Sequence, residues 1–269
     1  MNTMKHYQDL ASEIRKTILN LIYKTKSPHI GPSFSIVEIL VALYFNYLNV
    51  SRSSPLDPER DRFILSKGHA CATLYAVLHE IGFLSKEDIH GFAINGGILE
   101  QHPNRSLNYG IEVSTGSLGH GLSIGAGMAL SGKIDNKQYK VCVLLGDGEL
   151  NEGSIWESIM FAGHHKLNNL IAFVDCNKIQ ALGCTKDIID WMHLGEKWES
   201  FGWNVQEIDG HCFKQIFRAL GSSSSEKPNL VILNTIKGKG VSFMENQLLW
   251  HYRAPDSKEY ELALKELSL

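Results

Sequence analysis

The sequence predicts an α/β fold, a doubly wound and mostly parallel sheet flanked by helices, and three observations carry that expectation. Residues 140–145 (KVCVLL) and 170–175 (LIAFVD) are continuous apolar runs of strand length with a helical segment between them, the pattern of a βαβ unit. Residues 203–209 (WNVQEID) and 229–236 (NLVILNTI) give two more strands, separated by a helix around 213–220. The 269 residues suffice for one large core, and no second glycine-rich α/β pattern, repeat or long linker follows Pro255. A single domain over 1–269 is therefore expected.

Taken in order, the first element is a helix over about 5–26, because Leu10, Ile14, Ile18, Leu21 and Ile22 share one stripe while Asp9 and Glu13 face away. This segment lacks the continuous apolar stretch of a signal peptide, and its acids argue against a transit peptide, so a cytoplasmic protein is expected. Residues 37–48 (VEILVALYFNYL) form a second, more buried helix whose aromatic residues suit a core or subunit interface better than a cofactor box. In 121–130 (GLSIGAGMAL), Gly125 and Gly127 read as helix positions that let another backbone approach closely. SSSSEKP at 222–228 is a loop. A terminal helix over about 257–268 would make contact through Tyr260, Leu262, Leu264 and Leu267.

Composition excludes several function classes. A formal charge of −3 carries no basic excess, so neither nucleic acid nor a membrane surface is indicated. The five cysteines contain no CxxC pair, which fits a reducing compartment, and Cys176 and Cys184 match no usual zinc spacing. GxGxxG is not found after a strand, and KGKG at 237–240 is not a P-loop.

The chemistry concentrates in 146–177, GDGELNEGSIWESIMFAGHHKLNNLIAFVDCN. Ligands of parallel sheets sit outside the carboxyl ends of the strands, where Asp147 and Asn177 fall. Magnesium takes hard oxygens and only one or two carboxylates, so Asp147, the Asn177 amide oxygen and the Ile179 carbonyl suit it; calcium or manganese are alternatives. Gly146 and Gly148 allow a tight turn and close backbone approach, and a helix beginning near Ser154 offers free amides to a diphosphate. Standing alone, the motif also reads as an ordinary strand-end turn with a capping Asp.

GDG, 28 residues and then Asn177 resembles the motif of enzymes that use thiamine diphosphate. Four further segments, SPHIGPSFS (27–35), LSKGHA (65–70), GSLGHG (116–121) and WHYRAP (250–255), resemble the amino-terminal part of transketolase and occur in that family's order. The resemblance runs from about Glu13 to Pro255. It implies that His29, His69, His102 and His251 surround the thiazolium and the sugar hydroxyls and transfer protons, a task that suits imidazole near neutrality. It also implies that Gly116, Ser117 and Leu118 line the aminopyrimidine, that Gly146, Asp147, Gly148, Glu149, Asn177, Ile179, His69 and His251 contact the cofactor, and that Asp147, Asn177 and Ile179 hold the metal. The chain departs from the family at Pro28, Ser117, His120 and Cys176, which bears on the substrate channel and removes no metal ligand.

In this family a glutamate on a second α/β domain activates the cofactor, and the chain stops at Leu269 before such a domain. The resemblance therefore implies a split transketolase, in which a partner resembling the carboxyl half carries that glutamate and two copies of each chain assemble. The expected reaction is transfer of a two-carbon ketol unit from a ketose or ketose phosphate to an aldose. Alternatives are a ketol transferase of an unusual sugar or secondary-metabolite pathway, a 2-oxo acid dehydrogenase α-type subunit, which would not call for the histidine segments, and a non-catalytic thiamine diphosphate-binding module.

Overall fold

The computed structural model describes residues 2–268. Seven strands occur among them: β1 (Arg62–Leu65), β2 (Val141–Gly146), β3 (Leu170–Cys176), β4 (Ile179–Gln180), β5 (Gly183–Cys184), β6 (Asn204–Asp209) and β7 (Asn229–Asn234). Five of these form one sheet in the order β1-β2-β3-β7-β6, and β4 and β5 make a separate two-stranded hairpin. All pairings in the large sheet are parallel, with Gly146 opposite Asp175 and Cys176 opposite Asn234.

Alternation within the central strands assigns residues to two cores. Cys142, Leu144, Ile171, Phe173, Val231 and Leu233 face one helical layer, while Val141, Val143, Leu145, Leu170, Ala172, Val174, Leu230 and Ile232 face the other. Burial on both faces explains why these strands are continuously apolar. The first layer holds helices Asn2–Thr25, Val37–Ala42, Cys71–Glu80, Phe213–Gly221 and Ser257–Glu266; the second is built on Gly121–Ile134, Gly153–His164 and Leu194–Ser200.

The amino-terminal stripe packs as its spacing predicts, with Ile14, Ile18, Leu21 and Ile22 buried and Asp9 and Glu13 exposed. The 37–48 segment is α-helical to Ala42 and then widens into a π-turn, Leu43–Tyr47. The carboxyl-terminal helix starts in a capping box between Asp256 and Glu259 and clamps the first helix, Tyr260 stacking on Tyr23 at 4.2 Å. Leu262 corrects the expectation for this helix: it is 55% exposed, and Ala263 is the buried neighbour instead.

Two glycines predicted to be alike also differ. A Cβ on Gly125 would stand 2.5 Å from Val143 Cγ2, whereas one on Gly127 would meet nothing within 4 Å, so only Gly125 is required by packing, and against a side chain rather than a backbone. Strand β1 and the helix Cys71–Glu80 were not read from the sequence, since RFIL is short and lies inside a charged lead-in. No helix among the described residues is long and apolar enough to cross a membrane.

Candidate active site

The carboxyl ends of β1, β2, β3 and β7 deliver the functional groups to one cavity of about 380 Å3. Ten of the eleven residues expected at the cofactor line it, Ser117 being the exception: that side chain points to solvent, while Gly116 and Leu118 on either side turn inward. Gly116 adopts φ +146 and His102 packs on it, so a Cβ there would sit 2.9 Å from the imidazole. The backbone itself forms that wall.

At the floor, Asp147 follows β2 directly and is buried, its oxygens accepting from the backbone N–H groups of Gly148 at 2.8 Å and Lys178 at 2.6 Å. Asn177 follows β3, and its amide oxygen accepts from Ile179 N at 3.1 Å. Burial, reinforced by the nearby charge of Asp175, pushes the Asp147 carboxyl up to about 6. A buried anionic oxygen beside an amide oxygen and a carbonyl is a donor set that fits a hard divalent cation. Such a set holds one acidic side chain, and the described residues contain no group of three or more His, Cys, Asp and Glu placed for a metal.

Local geometry refines three expectations for this floor. Gly148 is needed for close approach, since a Cβ would lie 2.7 Å from Gln180 Cβ, but Gly146 is an ordinary strand end whose Cβ would have 3.8 Å of clearance. The long helix starts at Gly153, as expected near Ser154, but it lies behind a 3-10 turn over Gly148–Asn151, and the amides nearest the cavity belong to that turn. Glu149 lines the cavity and also braces three segments, its carboxylate accepting from Ser66 Oγ, Gly119 N and Gly146 N.

At the mouth, His29, His69 and His251 touch one another, with ring centroids 5.2, 5.3 and 5.5 Å apart. His29 holds a left-handed backbone, φ 77, fixed by its N–H donating to the His251 carbonyl at 3.1 Å. His102 lies at the exposed rim, 6.3 Å from His29. Burial lowers His29 to about 4, helped by His102, Lys237 and Lys67; burial, Lys237 and His29 take His251 to about 3. His69 is likewise held well below the usual imidazole range by burial and by Lys67. All three are neutral at physiological pH.

Two buried lysines connect mouth and floor, and neither was read as functional from the sequence. Lys67 pairs with Asp175, while Lys237 donates to the Ile179 carbonyl at 2.9 Å and lies 2.8 Å from His251 Nδ1. Burial lowers Lys237 to about 8, with Lys67 adding to the effect. The signal was available in KGKG, where a lysine closely follows an apolar strand. A larger cleft of about 1070 Å3 opens beside this cavity and shares Asp147, Asn177 and Ile179 with it.

Residues 6–267 match the family described as transketolase, thiamine diphosphate binding domain. The chain is 43% identical over 256 residues to an apulose-4-phosphate transketolase subunit from Phocaeicola vulgatus, covering 94% of this chain and 91% of that one. It is 42% identical to the 6-deoxy-6-sulfo-D-fructose transketolase subunit SqwG of a Clostridium species, covering 97% and 95%. The solved transketolase of Campylobacter jejuni superposes with a TM-score of 0.92 at 30% identity, over 98% of this chain. The chain spans 43% of that structure's length.

Proposed function

The chain belongs to the transketolase family, and from that membership we propose that it is the thiamine diphosphate-binding subunit of a two-chain ketol transferase. The reaction moves a two-carbon ketol unit from a ketose to an aldose. The observation that carries this reading is the set of three neutral, touching imidazoles over a floor of Asp147, Asn177 and Ile179.

Magnesium is the cation proposed for Asp147, the Asn177 amide oxygen and the Ile179 carbonyl. When bound, thiamine diphosphate supplies the electron sink for carbon–carbon cleavage. This chain's part is to bind, orient and move protons. Gly148 and the Lys237 ammonium meet the diphosphate, and Gly116 and Leu118 meet the pyrimidine region. A neutral imidazole carries one donor and one acceptor nitrogen, so His29, His69 and His251 can hold a sugar hydroxyl and transfer a proton at its oxygen. His102 contacts the donor at the rim.

The activating glutamate is assigned to a partner chain resembling the carboxyl half of transketolase, two copies of each assembling in the cytoplasm. The naming of two relatives for apulose 4-phosphate and for a sulfonated fructose favours an unusual ketose as donor. The test is ketol transfer with magnesium and thiamine diphosphate, by this chain alone and mixed with the partner. Donors would be xylulose 5-phosphate, apulose 4-phosphate and 6-deoxy-6-sulfofructose. Turnover only in the mixture is expected; a mixture that binds cofactor yet turns over no donor would overturn the assignment.

A further inference from the structure

The side-chain amide of Asn177 has two ends of nearly equal shape, and only hydrogen bonding decides which end faces a ligand. Here its nitrogen donates to Asp175 Oδ2 at 2.8 Å, leaving its oxygen to accept from Ile179 N with a lone pair to spare. A carboxylate accepts and never donates, so a reversed amide would set oxygen against oxygen.

Asp175 is itself immobilised by three other groups. Ser35 Oγ donates to Oδ2 at 2.7 Å, Thr235 Oγ1 donates to Oδ1, and Lys67 Nζ pairs with Oδ2 while also donating to the Pro32 carbonyl at 3.1 Å. The side chains of Lys67 and Asp175 are 1% and 0% exposed. Their donors come from the segment that follows His29, from the end of β1 and from the end of β7. A buried ion pair is weak support for stability in itself, so a different reason for keeping it is needed.

We propose that Asp175, held by Lys67, is a positioning residue that fixes the Asn177 amide so that its oxygen is presented to the metal. This rests on the metal assignment above. Partners of metal ligands commonly set affinity by 10- to 100-fold, about what orientation of one ligand is expected to contribute here.

The test is a Mn2+ titration in the presence of thiamine diphosphate, read by electron paramagnetic resonance, which does not depend on turnover. The double variant Lys67→Met/Asp175→Leu removes both charges together and leaves neither buried alone. It should bind Mn2+ about 10- to 100-fold more weakly, whereas Thr235→Val, which disturbs the same carboxylate on its other oxygen, should stay within about threefold.

Adding Asn177→Asp separates orientation from general damage, because a carboxylate offers oxygen at both ends. In the double variant it should restore affinity; in the unaltered protein it should weaken binding by setting two carboxylates face to face. Failure of Asn177→Asp to restore binding, or equal losses in Thr235→Val and the double variant, would overturn the proposal. If the double variant does not fold, Asp175→Asn takes its place, with the same reversal expected. Absence of Mn2+ binding to the unaltered protein would instead overturn the metal assignment, and this proposal with it.

Discussion

At the floor of the cavity the protein buries an acid near another acid, and at the mouth it buries bases near cations. Asp147 is pushed up by burial and by Asp175, so the floor holds negative charge that attracts a cation or a proton. His29 and His251 are pushed down by burial and by lysines, so the mouth resists protonation. Lys237 lies between them, on the Ile179 carbonyl and beside His251. The two ends divide the labour. The floor is built to bind charge, and the mouth to keep imidazoles ambivalent as donor and acceptor.

Reciprocal substitutions at the two ends test that division most severely. Asp147→Ala removes the anionic oxygen, and magnesium-dependent binding of thiamine diphosphate should be lost, along with turnover, in a titration that leaves the unaltered protein saturated. Undiminished binding would refute the ligand assignment. His29→Ala should behave in the opposite way: kcat/KM falls about 10²- to 10⁴-fold while cofactor affinity stays within about threefold. Parallel losses of binding in both variants would erase the distinction between floor and mouth.

How far each end was legible in the sequence follows the same division. Asp147 and Asn177 announce themselves because each ends an apolar strand, where parallel sheets place ligands. His29, His69 and His251 were legible only as members of three of the motifs, since no local pattern shows that they meet. Lys67 and Asp175 are not legible as functional although they lie in the LSKGHA and LIAFVD segments: the need for a buried cation appears only once a carboxylate 108 positions away is packed against it. Strand β1 was hidden by its shortness. Gly125 and Gly127 are indistinguishable in one helical stretch, and only the approach of Val143 separates them. Leu262 fits an apolar spacing, yet the helix turns Ala263 toward the first helix instead.

Acid should expose the contrast as opposing slopes of stability. For His29 and His251 the unfolded chain binds protons near 6.5 and the folded chain only near 4 and 3. Their contribution is present above 6.5 and is lost as pH falls through those folded values. Asp147 runs the other way: with its folded carboxyl raised from 3.8 to about 6, its contribution is present below 3.8 and is lost as pH rises through 6. Melting temperatures between pH 4 and 7 should therefore rise with pH, and rise more steeply in Asp147→Ala, where the opposing group is gone. An unchanged slope in that variant would show that the floor carries no strained charge.

The smallest effect concerns the lysine between the ends. If the mouth is kept neutral partly by charge and not by burial alone, removing one positive charge must raise the affinity of its imidazoles for protons. The charge of Lys237 helps to lower His29, His69 and His251, and for His251 it is second only to burial. Lys237→Met retains most of the side chain's volume, so burial of the rings changes little while the charge is lost. Histidine titration followed by NMR should then move His251 upward most, with His29 moving less. The residual depression below 6.5 measures what burial does alone. Were His251 to titrate where it does in the unaltered protein, desolvation would account for the whole effect, and the lysine's part would reduce to its bond with the Ile179 carbonyl.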